Sequence, residues 1–311
     1  MTAITRRRFF AISAAAAALP GLAFGAAPVT RWRGIALGAG ASMTLTGVGE
    51  VEAAPVIDRV MSEIDRLEAI FSLYRANSVL SRLNRTDRLA SPPPEMLELL
   101  TLCGAIHRQT GGAFDPTIQP LWALYAEAAA EGRTPSDAEI DTARARTGWA
   151  GLRFDTDGVT FTRPGMALTL NGVAQGYIAD RIADLLRAEG MAGVLVDMGE
   201  IHAVGSRADG TPWRAGIALP GGDLRPGSVG LVDRALATSA PLGTVLDPAG
   251  RIGHIVDPRS GRPGGLWRQV SVSASRAALA DGLSTAFCLM PRSLIERAVA
   301  AYPGARVEAL V

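Results

Sequence analysis

A chain of 311 residues, 48% hydrophobic with a mean hydropathy of +0.19, is long enough to bury a core in one or two domains and too apolar to be disordered. Aromatic residues make up 5% while glycine (35) and proline (19) are plentiful, which disfavours long helical arrays, and a formal charge of +1 without a basic stripe argues against nucleic acid as a partner. All 31 basic residues are arginine, so neither a Walker-type phosphate lysine nor a Schiff-base lysine exists in this chain.

The segment Thr5-Arg6-Arg7-Arg8-Phe9-Phe10 precedes an apolar stretch over 11–22, with small residues at Ala23, Gly25, Ala26 and Ala27. That order is expected of a twin-arginine signal over residues 1–27, removed on export and leaving 28–311 as a periplasmic domain. The apolar run is short for a membrane span, so an uncleaved anchor is the lesser alternative. Loss of residues 1–25 removes three arginines and no acid, taking the formal charge from +1 to −2. Twin-arginine export carries folded chains, which suits a protein that binds its ligand before crossing.

Residues 33–48 alternate small and apolar side chains between glycines and read as a strand pair or a bulged strand. Ile57, Val60, Met61, Ile64, Leu67 and Phe71 recur at three and four, predicting an amphipathic helix over 56–71. Three prolines at 92–94 break the chain before a second helix carrying Met96, Leu97, Leu100, Cys103 and Ile106, stopped by Gly111 and Gly112. Residues 126–148 read as a polar helical excursion on the surface, followed by short strands around Phe154, 159–162 and 166–170. A glycine-containing turn over 170–177 then joins the last strand to a helix with Ile178, Ile182, Leu185 and Leu186 on one face. Strand, turn and helix start in that order make anion-binding geometry. Strands at 194–196, 213–219, 229–238, 254–256 and 270–273, helices at 277–290 and 293–301, and a closing strand at 307–311 complete the chain. No repeat or linker divides it, so a single compact α+β unit is expected, a mixed or antiparallel sheet with flanking helices in one or two lobes.

Four islands mix glycine with an acid or a hydroxyl: 111–116, 171–177, 254–261 and 280–285. Asp281 and Thr285 stand four apart at the expected start of a helix, so their oxygens share a face and either grip a hard cation such as Mg²⁺ or cap the helix. His254, beside a strand entering a Pro-Gly turn, is either a general base or a structural histidine. Asp115 either accepts hydrogen bonds from a ligand or starts a turn. Cys103 and Cys288 are either one disulfide or two buried small hydrophobes, and no Cys/His cluster has zinc-like or haem-like spacing.

Taken in order, the islands resemble the ApbE family, the FAD:protein FMN transferases, from about Gly34 to the C-terminus. The matching landmarks are Ser72-Leu73-Tyr74 with Asn84, Gly111-Gly112-Ala113-Phe114-Asp115-Pro116, Ala174-Gln175-Gly176-Tyr177, Thr238-Ser239-Ala240, His254 to Gly261 and Ala280 to Thr285. The resemblance implies that FAD binds through Leu37, Tyr74, Ala113, Phe114, Asp115 and Ile255, with its pyrophosphate near the 171–175 turn and beside Thr169 and Gln175. Mg²⁺ would take the Gly172 carbonyl, Asp281 and Thr285. A partner protein would present a threonine hydroxyl, His254 would draw off its proton, and attack on the FMN phosphorus would release AMP. The wording of the 171–177 turn, together with the export signal, is most similar to the NosX branch, which supports flavinylation of the membrane-bound NosR protein of nitrous oxide respiration. Four positions depart from the family pattern: Gln175 replaces its lysine, Thr169 its aspartate, Leu37-Gly38-Ala39 its Met-Gly-Thr, and Ala240 its glycine. The first two motivate the alternative of a flavin-binding assembly or electron-transfer protein that holds FAD without cutting it.

Overall fold

The computed structural model describes residues 28–311, and the expected export signal at 1–27 lies outside the described residues. The chain opens with a hairpin of β1 (Val29–Ala36) and β2 (Ala39–Thr46), closed by Leu37 (φ 48°) and Gly38 (φ 80°). Two consecutive left-handed residues give the turn whose twist suits a two-residue hairpin. The Leu37 amide donates to Glu68 Oε1 at 2.5 Å, tying the turn to α1 (Glu50–Phe71). Helix α2 (Val79–Thr86), capped by the Ser78 hydroxyl, leads through β3 (Arg88–Ala90) to α3 (Pro94–Gln109).

Where a polar surface excursion was expected, α4 (Gln119–Ala130) and α5 (Asp137–Arg144) pack on each other instead. Leu121, Tyr125 and Ile140 bury with Val256 in a small core of their own, too sparse along the sequence to register as periodic. Strands β4 (Leu152–Phe154) and β5 (Gly158–Phe161) join β3 in a three-stranded sheet. The strand expected at 166–170 does not form. The segment is extended but unladdered, and the Asn84 side chain takes the place of a partner strand by donating to the Leu168 carbonyl and accepting from its amide, both at 2.8 Å.

Helix α6 (Ala174–Ala188) follows, then β6 (Val194–Asp197), β7 (Ile201–Val204), β8 (Trp213–Ala215), β9 (Val229–Leu231) and β10 (Arg234–Ser239). A minimal hairpin of β11 (Val256–Asp257) and β12 (Arg262–Pro263) precedes β13 (Val270–Ala274), α7 (Ala277–Phe287), α8 (Arg292–Ala300) and β14 (Arg306–Leu310). Seven strands form the main sheet in the order β1-β2-β6-β7-β10-β13-β14, every neighbouring pair antiparallel.

Period-two alternation divides the sheet's two faces. Val194, Val196, Ala235, Ala237, Val270 and Val272 enter the large core with α1, α6 and α7. Leu195, Ile201, Ala203 and Leu236 turn the other way, against the β8–β9 ribbon. Helices α6 and α7 approach so closely that a Cβ at Gly176 would lie 2.5 Å from the Ala277 carbonyl oxygen. Glycine is therefore required there by space, and this contact brings the start of α6 against the helix bearing Asp281 and Thr285.

Candidate active site

Asp281 is not at a helix start. Helix α7 begins at Ala277, which puts Asp281 in its second turn, and the capping alternative for this pair falls away. The residue is 4% exposed, and its Oδ2 accepts from the Gly176 amide at 3.3 Å. Burial pushes its pKa up to about 7, the Asp180 charge adds to the rise, and the Gly176 amide opposes it. One turn on, the Thr285 hydroxyl lies 3.2 Å from Ser239 Oγ, which is also 2.7 Å from Ser284 Oγ. Gly172 closes the group, because a Cβ there would lie 3.2 Å from Thr285 Oγ1 and 3.7 Å from the Phe114 ring.

Phe114, Gly172, Gly176, Asp281 and Thr285 thus converge from three distant stretches of sequence, at the N-terminus of α6. A carboxylate, an alcohol and the backbone carbonyls of a glycine turn are oxygen donors of the kind that hard divalent cations take. The set fits such a cation on a structural observation: the Asp281 carboxylate is buried with one backbone donor and no basic side chain acting on it among the described residues.

The remaining expected residues sit around this centre with varied roles. Tyr74 is 60% exposed and its phenol reaches the Asn171 side chain in the 171–177 turn. Thr169 accepts from the Asn171 amide at 3.3 Å, and Gln175 lies against Gly199, 2.9 Å from where a Cβ would stand. Ala113 and Ile255 are buried, the latter's carbonyl accepting from Gly264 at 3.1 Å. Asp115 starts a turn: its carboxylate accepts from the Thr117 amide and hydroxyl (2.9 and 2.6 Å) and from the Trp149 amide (2.9 Å). Those bonds engage both of its oxygens within the chain. Cys103 and Cys288 are free and buried.

His254 stands on a loop whose preceding Gly253 packs on the Pro241 carbonyl, two residues beyond Ser239. Its Nδ1 is 3.1 Å from the Thr244 carbonyl, which assigns the proton to Nδ1 and leaves Nε2 as an acceptor. Burial lowers its pKa below 6.5, while the Thr244 and Pro241 carbonyls pull the other way. The ring is therefore neutral at pH 7. Were it the base, the rate would hold level from pH 8 down to 6.5 and decline only below, and His254→Gln would lose that acid limb along with roughly a hundredfold in kcat. Linkage gives the same sign for stability: below pH 6.5 the unfolded chain binds the extra proton, so His254 makes folding less favourable only as the pH falls past that value. At saturating Mg²⁺ and FAD, where the ligand Asp281 is held ionised, a kcat profile that falls between pH 8 and 7 would contradict this.

Two acids escaped the sequence reading. Asp197 and Glu200 flank the tight β6–β7 turn, where Gly199 donates to Asp197 Oδ1 at 3.1 Å. The charges that act on Glu200 are those of Asp281 and Asp197. In sequence they are indistinguishable from turn residues; the one available signal is a pair of acids between two runs, 194–196 and 201–204, that are otherwise buried.

An ApbE family profile, described as such, matches residues 37–310. The FAD:protein FMN transferase of Salmonella typhimurium is 30% identical over 262 residues, 80% of this chain and 75% of its own. That of Vibrio cholerae is 32% identical over 250 residues, 75% and 72% of the two chains. Among solved structures, the ApbE protein of Thermotoga maritima superposes with a TM-score of 0.80 at 26% identity, covering 91% of this chain and 96% of its own. The apo flavinyl transferase ApbE of Pseudomonas stutzeri gives 0.77 at 29%, covering 89% and 90%. Similarity of this extent, running from residue 37 to 310 and so through every element that carries the site, places the chain in the ApbE family.

Proposed function

We propose that the site binds FAD and a divalent cation, Mg²⁺ by its oxygen chemistry, and transfers FMN to a threonine of a partner protein. That the chain is an FAD:protein FMN transferase follows from its family and from its identity with enzymes so named. The observation that carries the Mg²⁺ reading is the buried Asp281 carboxylate, without a basic partner among the described residues, one helical turn from the Thr285 hydroxyl that lies against Gly172. Asp281, Thr285 and the Gly172 carbonyl would hold the cation, which when bound neutralises pyrophosphate charge.

The chain's own residues do the rest. The start of α6 turns its positive dipole end and the Asn171–Gly172 turn toward the diphosphate, while its Ala174 and Gly176 amides donate to the Leu170 carbonyl and to Asp281. Tyr74 and Phe114 flank that turn as flavin or adenine contacts. The incoming threonine hydroxyl is a poor nucleophile near neutral pH, so Nε2 of His254 takes its proton as the oxygen bonds to the FMN phosphorus. The bond from that phosphorus to the bridging oxygen breaks, and AMP leaves with the bridging oxygen.

The acceptor we propose is a NosR-like membrane flavoprotein that presents its threonine to the periplasm, reached by this chain through twin-arginine export. The wording of the 171–177 turn and of residues 5–27 supports it. Mass spectrometry of a NosR-type domain coexpressed with and without this chain is expected to show a covalent FMN increment on one threonine, with AMP released one for one in the purified reaction. Intact FAD retained on a yellow protein with no AMP released would overturn this, in favour of the flavin-holding alternative that Gln175 and Thr169 motivate.

A further inference from the structure

One hydroxyl in contact with Thr285 takes no part in the chemistry above. Along β10 the side chains that face the large core are Ala235, Ala237 and then Ser239, which pairs with the core residue Val270 on β13. The Ser239 Oγ is 2.7 Å from Ser284 Oγ and 3.2 Å from Thr285 Oγ1. Ser284 is wholly buried and donates to the Asp281 carbonyl at 3.0 Å.

A hydroxyl has one proton to donate and two lone pairs to accept with. With the Ser284 proton on the Asp281 carbonyl, Ser284 accepts from Ser239. The Ser239 proton is then engaged, so Ser239 accepts from Thr285. One direction therefore runs through the three hydroxyls, from Thr285 to Ser239 to Ser284, and ends on the backbone of the residue that supplies the carboxylate. Every proton in the chain has an acceptor, and the chain engages neither lone pair of Thr285. An alcohol binds a cation through a lone pair, and its proton then needs an acceptor on another side.

Resting on the reading that Asp281, Thr285 and the Gly172 carbonyl hold a divalent cation, we propose that Ser239 is a positioning residue of that site. It takes the Thr285 proton and so holds a lone pair of Thr285 for the cation. Partners of this kind, one bond behind a ligand, change metal affinity by roughly tenfold to a hundredfold.

The test is Mn²⁺ binding to the purified chain saturated with FAD and without acceptor, followed by calorimetry and by the paramagnetic resonance of the free ion. Ser239→Ala is expected to weaken Mn²⁺ binding by about tenfold, and Ser239→Thr, which keeps the hydroxyl, to recover most of the loss. In EDTA the melting temperature of Ser239→Ala should match that of the native chain, because Ser284 keeps its carbonyl acceptor and no buried donor loses its partner. In a Thr285→Val background Ser239→Ala should change Mn²⁺ affinity by less than about twofold, since its effect passes through the missing hydroxyl. Ser284→Ala, one link further along the chain, should weaken binding to a smaller degree and gives a reading that does not depend on the first variant. Equal Mn²⁺ affinity in the native chain, Ser239→Ala and Ser284→Ala, with loss only in Thr285→Val and Asp281→Asn, would overturn the role of Ser239 and leave the cation site standing. A loss in Ser239→Ala that persists in full beside Thr285→Val would overturn it as well. A native chain with FAD that binds Mn²⁺ no more tightly than FAD alone would overturn both readings.

Discussion

Asp281→Asn is expected to lower FMN transfer by roughly 10⁴-fold, about 5.5 kcal/mol of transition-state stabilisation, while leaving the fold as stable as before. The two outcomes separate because of how this carboxylate is buried. It is 4% exposed, accepts one hydrogen bond from Gly176 and has no cationic neighbour among the described residues, so in a chelator the fold gains little from its charge. Asparagine keeps an acceptor for the Gly176 amide and removes the charge. Melting in EDTA should therefore match or exceed the native value, and flavin fluorescence of the acceptor on a denaturing gel should be lost. Transfer within tenfold of native at saturating Mg²⁺ would show that Asp281 is no ligand.

This residue also marks where the sequence was legible and where it was not. The spacing of Asp281 and Thr285 put two oxygens on one helical face, and the geometry agrees, since Thr285 meets Gly172 and Ser239 while Asp281 meets Gly176. The helix start read at Ala277 agrees with α7, while Asp281 stands one turn beyond it, and the cap that fixes this start is not local: Arg276 stands at the N-cap with no capping side chain, and the acceptor comes from Asp180 on α6. Uniform periods were readable, as in α6 with Ile178, Ile182 and Leu186. Helix α2 was missed because only Leu80 and Leu83 of its eight residues are buried, and β7 because burial of all four residues leaves no alternation to see. Glu200 and Asp197 were missed for a different reason. Turn chemistry accounts for an acid beside a glycine equally well, and only the fold shows that Glu200 is buried there.

Asp180→Ala is expected to destabilise the protein by about 3–5 kcal/mol, the range for removing one partner from a buried charged network. Asp180 is 1% exposed, and each oxygen serves two donors. Its Oδ1 accepts from the Ala277 amide at 2.6 Å and lies 2.8 Å from Nδ1 of His202, which is wholly buried on β7. Its Oδ2 accepts from the Ala278 amide at 3.0 Å and lies 3.3 Å from Nε of Arg276. Alanine would leave two amides at the start of α7 and one imidazole nitrogen buried without partners, each unfavourable by about 1–3 kcal/mol. Asparagine should be intermediate, since it retains one acceptor but turns an NH₂ group toward other donors. Urea unfolding should show a lower midpoint with an unchanged slope, because the surface exposed on unfolding is the same. The loss should reach the chemistry too. Asp180 joins α6, the sheet and α7 at the point from which Asp281 is held one turn further on, so Mn²⁺ affinity should fall in Asp180→Ala even at temperatures where it stays folded. A shift in stability below about 1 kcal/mol would mean that these donors find water or other partners, and that α7 is anchored by apolar packing alone.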